Sequence, residues 1–176
     1  MEIYLIRHTT PDIEKGICYG QSDLDVANTF EEEVIQLATK LPSTFDKVYS
    51  SPLKRCAILA SRISGDVIYD DRLKEIDFGN WEMKKWDDIP RKESKDWMND
   101  FVNIAPPNGE SYIQLQNRVI DFYQELLLTP QKSVALITHA GVMRALISHF
   151  NGTLLKDSFS IQLTYGYIFK LDVENK

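Results

Sequence analysis

The chain carries three histidines in 176 residues, and two of them occupy the same place in two similar stretches. In EIYLIRHTTP and in SVALITHAGV a short apolar run stops at His8 or His139, and small or hydroxyl residues follow. Such a run reads as a strand, and a strand ending in an imidazole delivers that ring to the loop beyond it. Arg7 precedes His8, and Arg55 stands in SSPLKRC, where a strand gives way to a helix. Their guanidinium forks suit phosphate or carboxylate oxygens. Glu75, in LKEIDFGNWE, adds one carboxyl group after another strand end. Two imidazoles, two guanidiniums and a carboxyl gathered at strand ends make a site for phosphoryl chemistry.

That chemistry assigns roles. A neutral imidazole is a competent nucleophile near neutral pH when its other nitrogen donates to a fixed acceptor, and His8 is the better candidate because Arg7 adjoins it. A phosphohistidine would result. The transferring group spreads negative charge over its equatorial oxygens, which Arg7, Arg55 and a protonated or donating His139 would stabilise. The leaving alkoxide needs a proton, and Glu75 could supply it if nearby aromatic residues keep its carboxyl partly desolvated and protonated.

The elements that must position these groups follow from patterning. Strands are expected at 3–6, around Val48 and Tyr49, at 67–69, 134–138 and 167–173. Helices are expected over 30–41, with Thr29 and Glu32 in capping-box spacing, and over 53–63, opened by Pro52. A third runs from Ser111, with Gln114 in the capping position, to about Leu128, and a last one follows Gly141 to Phe150. Strand and helix in alternation, with nearly continuous apolar strands, predict an α/β fold: a three-layer α/β/α sandwich around a mostly parallel sheet. Ligands bind such sheets beyond the carboxyl ends of the strands. If the strands of His8 and His139 are neighbours, both rings enter one pocket. The AGV stretch after His139 opens a helix whose first N–H groups would face an anion. Residues 77–109 break the rhythm with Trp81, Trp86, Trp97, Pro90, Pro106 and Pro107 and no clear strand, and are expected to be a helical flap inserted in a single domain spanning 1–176. The tryptophans are expected to pack that flap.

A hydrophobic content of 43% supports one core of ordinary size. With 20 Lys and Arg against 26 Asp and Glu, the net charge of −6 argues against a nucleic-acid surface, so phosphate affinity must be focal. MEIYLIR is too short and too acidic for a signal peptide and no run approaches a membrane span, so a soluble cytoplasmic protein that does not bind membranes is expected, with Cys18 and Cys56 as reduced thiols. Rival chemistries fare worse. Cys56 and Arg62 have the C-x5-R spacing of a cysteine phosphatase, but the intervening AILAS continues an apolar helix and cannot cradle phosphate with its N–H groups. Two histidines and a glutamate can bind zinc, yet two arginines would repel a divalent cation, so neither metal nor other cofactor is expected. His149, Arg144 and Asp77 read as structural.

In this order, LIRHTTP, SSPLKRC, LKEIDFGNWE and LITHAG resemble the motifs of the histidine phosphatase superfamily, also called the phosphoglycerate mutase-like family. The resemblance runs from Ile3 to about Phe150. It implies the three-layer fold, a phosphohistidine on His8, a phosphate held by Arg7, Arg55 and His139, and Glu75 as proton donor. The chain departs from the family where Thr9 and Thr10 replace a Gly-Glu pair, where DIEKG lacks an asparagine, and where Met83 and Phe30 replace glycines. The stretch KGICYGQSDLDV is similar to the corresponding loop of α-ribazole-5'-phosphate phosphatases, which act in assembly of the cobalamin lower ligand. That likeness sets Gly20 and Gln21 near the phosphate and Tyr19 in the substrate loop. The implied activity is hydrolysis of a small phosphorylated metabolite, with α-ribazole 5'-phosphate as the foremost substrate. A broad-specificity phosphatase and a phosphoglycerate mutase are alternatives within enzymes, although a mutase must exclude water and the short chain leaves little material for a lid. A phosphoryl-ligand or protein-binding module without turnover is the alternative outside them.

Overall fold

The computed structural model describes residues 1–173. Five strands form one sheet: β1 (Glu2–Arg7), β2 (Lys47–Ser50), β3 (Val67–Tyr69), β4 (Ser133–Thr138) and β5 (Ile168–Asp172), in the order β3-β2-β4-β1-β5. All neighbours are parallel except β1 with β5, which run antiparallel. The helices are α1 (Phe30–Ala38), α2 (Lys54–Ile63), α3 (Arg91–Asn99), α4 (Tyr112–Leu127) and α5 (Ala140–Asn151).

Alternation along the central strands divides the core in two. Ile3 and Leu5 of β1, with Val134 and Leu136 of β4, face Leu115, Val119 and Phe122 of α4 and Met143 and Leu146 of α5. Ile6, Ala135 and Ile137 face the opposite way, onto Phe30 and Leu37 of α1 and Cys56, Leu59 and Ala60 of α2. A strand buried on both faces has no polar positions to spare, which is why β4 reads SVALIT without alternation. The three-layer architecture is as expected from the sequence.

The ends of the helices separate two similar signals. Ser111 and Gln114 form the reciprocal capping box, the serine hydroxyl accepting from the Gln114 N–H and the glutamine carbonyl from the Ser111 N–H. The box expected at Thr29 and Glu32 does not form. Thr29 is in a helical conformation rather than the extended one a cap needs, and its hydroxyl donates to Glu33, whose other oxygen accepts from the Thr10 N–H. Glu33 thus ties α1 to the loop after β1. Helix α1 also ends at Ala38, short of the expected Leu41.

Between Asp77 and Gly109, two short 3-10 turns (Gly79–Trp81 and Trp86–Asp88) and α3 enclose a small core of their own, in which Cys18, Trp81 and Ile89 are buried against Phe78 and Trp97. Trp86 stacks on Trp97 with centroids 5.9 Å apart. No helix among the described residues is long and apolar enough to cross a membrane.

Candidate active site

Register explains why the two strand-end histidines meet. Parallel pairing sets Arg7 opposite Thr138, so His8 and His139 leave adjacent central strands at the same level, and their rings lie 5.1 Å apart, edge to face. Both are buried. His8 Nδ1 lies 2.6 Å from the Thr9 carbonyl oxygen. A carbonyl only accepts, so Nδ1 carries the proton and Nε2 is the acceptor nitrogen, taking a hydrogen bond from Arg55 Nε–H. Burial, then Arg55 and Arg7, push the His8 pKa well below the ordinary imidazole value, and burial, Arg55 and His8 do the same to His139. His139 Nε2 lies 2.8 Å from the Ser51 hydroxyl, and its ring also touches the Cys56 thiol at 3.4 Å.

Arg55 opens α2 and is wholly buried, with Nε 3.4 Å from His8 Nε2. Its other nitrogens donate to the Ser22 carbonyl at 2.9 Å and the Gly20 carbonyl at 2.6 Å. The same guanidinium therefore faces His8 and pins the loop that follows Tyr19. Arg7 donates to the Leu163 carbonyl and lies 4.0 Å from the ring of Tyr165. Its Nε is buried without a partner, as is the hydroxyl of Thr9 on the other side of His8. Each is a buried polar atom adjoining His8 in sequence that the protein itself leaves without a hydrogen bond.

Gly20 and Gln21 contribute through another group. Their N–H groups donate to the Glu82 carboxylate at 2.9 Å each, joined by the Ser22 N–H and hydroxyl and the Phe78 N–H. Burial alone would raise the Glu82 carboxyl, but these donors together hold it below the ordinary carboxylate range. The Gln21 side chain donates to the Glu75 carbonyl at 3.1 Å. Tyr19 lies across Arg55, and its hydroxyl meets that of Tyr165 at 2.8 Å above the histidines. Glu82, Ser51 and Tyr165 escaped the sequence reading. Glu82 sits inside the quoted LKEIDFGNWE stretch, whereas Tyr165 has no local signal and is brought in by the pairing of β5 with β1.

Glu75 is seated by backbone. Its carboxylate accepts from the Ile76 N–H at 2.9 Å and the Gly141 N–H at 3.1 Å, so the opening N–H of α5 faces a protein carboxylate rather than an open anion site. The Glu75 carbonyl accepts from Arg118, which is itself paired with Glu110. A Cβ on Gly141 would stand 2.2 Å from Glu75 Oε1, so only glycine leaves room for this carboxylate.

The rival constellation does not assemble. Cys56 is buried in the first turn of α2, its thiol pKa driven far up by desolvation, while Arg62 is solvent-exposed and paired with Glu31. A thiol that cannot ionise is no nucleophile. His149 lies in the last turn of α5 against Tyr123 and Phe150, away from the other two histidines.

Comparison with known proteins agrees with this geometry. The model of the histidine phosphatase superfamily (branch 1) matches residues 3–176. Adenosylcobalamin/alpha-ribazole phosphatase of Escherichia coli K12 is 27% identical over 187 residues, covering 100% of this chain and 92% of that protein. Phosphoserine phosphatase 1 of Hydrogenobacter thermophilus is 28% identical over 170 residues, covering 91% of this chain and 81% of that protein. The crystal structure of the alpha-ribazole phosphatase from Shigella flexneri superposes with a TM-score of 0.90 at 26% identity, covering 99% of this chain and 91% of that one. Paired strand-end histidines, the buried Arg55 beside them and a family match spanning the chain lead to one conclusion: it belongs to the histidine phosphatase superfamily and is a hydrolase of the phosphatase type.

Proposed function

We propose that the chain hydrolyses a phosphomonoester in two steps through His8, and that its substrate is α-ribazole 5'-phosphate. One observation carries the mechanism: His8 is neutral, its Nδ1 proton is committed to the Thr9 carbonyl, and its unprotonated Nε2 is oriented by a long hydrogen bond from Arg55 Nε–H, which a phosphate oxygen would take over. In the first step Nε2 attacks phosphorus, the P–O bond to the alcohol breaks, and Glu75, which must enter this step as the carboxylic acid, gives its proton to the leaving oxygen. Arg7, Arg55 and an N–H of His139 bind the equatorial oxygens, replacing water around them with fixed donors. Water then attacks the phosphohistidine, the P–N bond breaks, and the Glu75 carboxylate takes the water proton. The substrate rests on the likeness of the 15–26 loop to α-ribazole-5'-phosphate phosphatases and on the full-length relatives bearing that name.

The test is a rapid quench into base after mixing with labelled substrate. Acid-labile, base-stable phosphate is expected on the peptide containing His8, and none in His8→Ala. Near-normal turnover by His8→Ala would overturn the mechanism. Alpha-ribazole 5'-phosphate is expected to show a higher kcat/KM than phosphoserine or 3-phosphoglycerate, and the reverse order would overturn the substrate.

A further inference from the structure

A cavity of about 160 Å³ opens beside Glu75, with none of Arg7, His8, Arg55 and His139 in its lining. Its walls are Phe78, Trp97, Phe101, Phe159 and Arg144. The rings form a continuous aromatic surface, with centroids 6.1 Å apart from Phe78 to Trp97, 6.2 Å from Trp97 to Phe101 and 5.0 Å from Phe101 to Phe159. Phe159 is 53% exposed, so this surface runs out to solvent without a protein group covering it. An apolar cavity of roughly 150 Å³ holds one benzene ring. Arg144 spends a single donor on the protein, from Nε to the Ile161 carbonyl at 3.2 Å, and its guanidinium carbon lies 5.2 Å from the Phe159 centroid.

We propose that this pocket is the leaving-group subsite and that the alcohol released carries an aromatic or heteroaromatic ring, seated among Phe78, Trp97, Phe101 and Phe159 with the Arg144 guanidinium against it. The inference rests on Glu75 being the proton donor. A donor must touch the leaving oxygen, so the remainder of the alcohol occupies the space that Glu75 lines. A small charged alcohol such as serine or glycerate would leave the rings wet and uncovered. An aromatic ring gains their burial and the attraction of a guanidinium. Arg144 is then a specificity residue rather than the structural one its sequence context suggests.

Phenethyl phosphate and ethyl phosphate test this directly. Both leave as primary alkoxides and need a proton equally, so their kcat/KM ratio reports the ring alone. The wild-type ratio is expected to be about tenfold or more, the size of burying one ring. Phe159→Ala and Trp97→Ala should bring it close to one, and Arg144→Met should lower it several-fold. Leu128→Ala, at an 87% exposed position after α4, should leave it unchanged. Phe159 is solvent-exposed, so its truncation does not open the core. Titration with the non-hydrolysable phenethyl- and ethylphosphonates reads the same preference without turnover. Preferential phenethylphosphonate binding without hydrolysis of either ester would keep the subsite and overturn the phosphatase mechanism. Equal binding of the two phosphonates, or a preference untouched by Phe159→Ala and Arg144→Met, would overturn the subsite.

Discussion

Gly141→Ala separates what Glu75 does for catalysis from what it does for the fold. The added methyl carbon would stand 2.2 Å from Glu75 Oε1, where ordinary contact begins at 3.4 Å, so the carboxylate must retreat by 1.2 Å. Oε1 is the oxygen that accepts from the Ile76 N–H at 2.9 Å, and a retreat of that size should break this hydrogen bond, whereas the bond from the Gly141 N–H is made by Oε2. Losing a hydrogen bond to a charged group costs roughly 1.5–3 kcal/mol, and alanine in place of glycine in a helix returns up to about 1 kcal/mol. The folded state therefore loses about 0.5–3 kcal/mol and persists. Catalysis should suffer more, because misplacing a reacting group by about 1 Å costs on the order of a hundredfold. That loss should fall on alkyl esters, whose alkoxide needs the proton, and largely spare a nitrophenyl ester, which leaves as a stabilised phenolate. The assay is single-turnover phosphorylation of His8 with both esters, alongside urea unfolding. Equal losses on the two esters would assign Glu75 to positioning the phosphate, and no loss on either would remove it from the reaction.

Three further outcomes are expected. Glu82→Ala leaves the Gly20, Gln21 and Ser22 N–H groups without their acceptor and frees the loop that Arg55 grips, so it should lower stability by roughly 2–4 kcal/mol in urea unfolding and weaken vanadate binding. His8 and His139 are both held well below 6.5 by burial and neighbouring arginines, so the unfolded chain binds protons that the folded chain refuses. Stability is then full above that value and falls as pH drops beneath it, by about 1.4 kcal/mol per histidine at pH near 5.5, and His8→Ala should remove about half of that loss in urea midpoints. Exhaustive chelation should leave turnover intact and vanadate should inhibit, since Arg7, Arg55 and His139 supply the donors; rescue of a chelated enzyme by zinc would contradict this.

The groups legible in the sequence were those whose position follows from local pattern. An apolar run that stops at a histidine is enough to set His8 and His139 at strand ends, and Ser111 announces α4 because its partner Gln114 lies in the same turn. Long-range polar contacts left no such mark. Glu82 gathers donors from residues about 60 positions away, which no periodicity encodes. Thr29 shows the converse error, a correct local motif whose hydroxyl found a better acceptor in Glu33. Arg55 was expected near His8 from its place at a strand-to-helix turn, and it is found there, but its grip on the Gly20 and Ser22 carbonyls required knowing that the two loops converge.

The sheet order also governs when in its synthesis the chain can become active. β2 and β3 are joined by α2 and can pair as soon as both have emerged, but β1, made before them, finds its partners among the described residues in β4 and β5. On the ribosome, Ile3 to Ile6 must wait through more than a hundred residues before Val134 to Ile137 arrive beside them. Non-local pairing of this kind is slow, and a waiting apolar strand is a target for chaperones and for aggregation. His8 therefore meets His139 only after synthesis has passed β4, and a nascent chain stalled between the two strands holds the two rings apart.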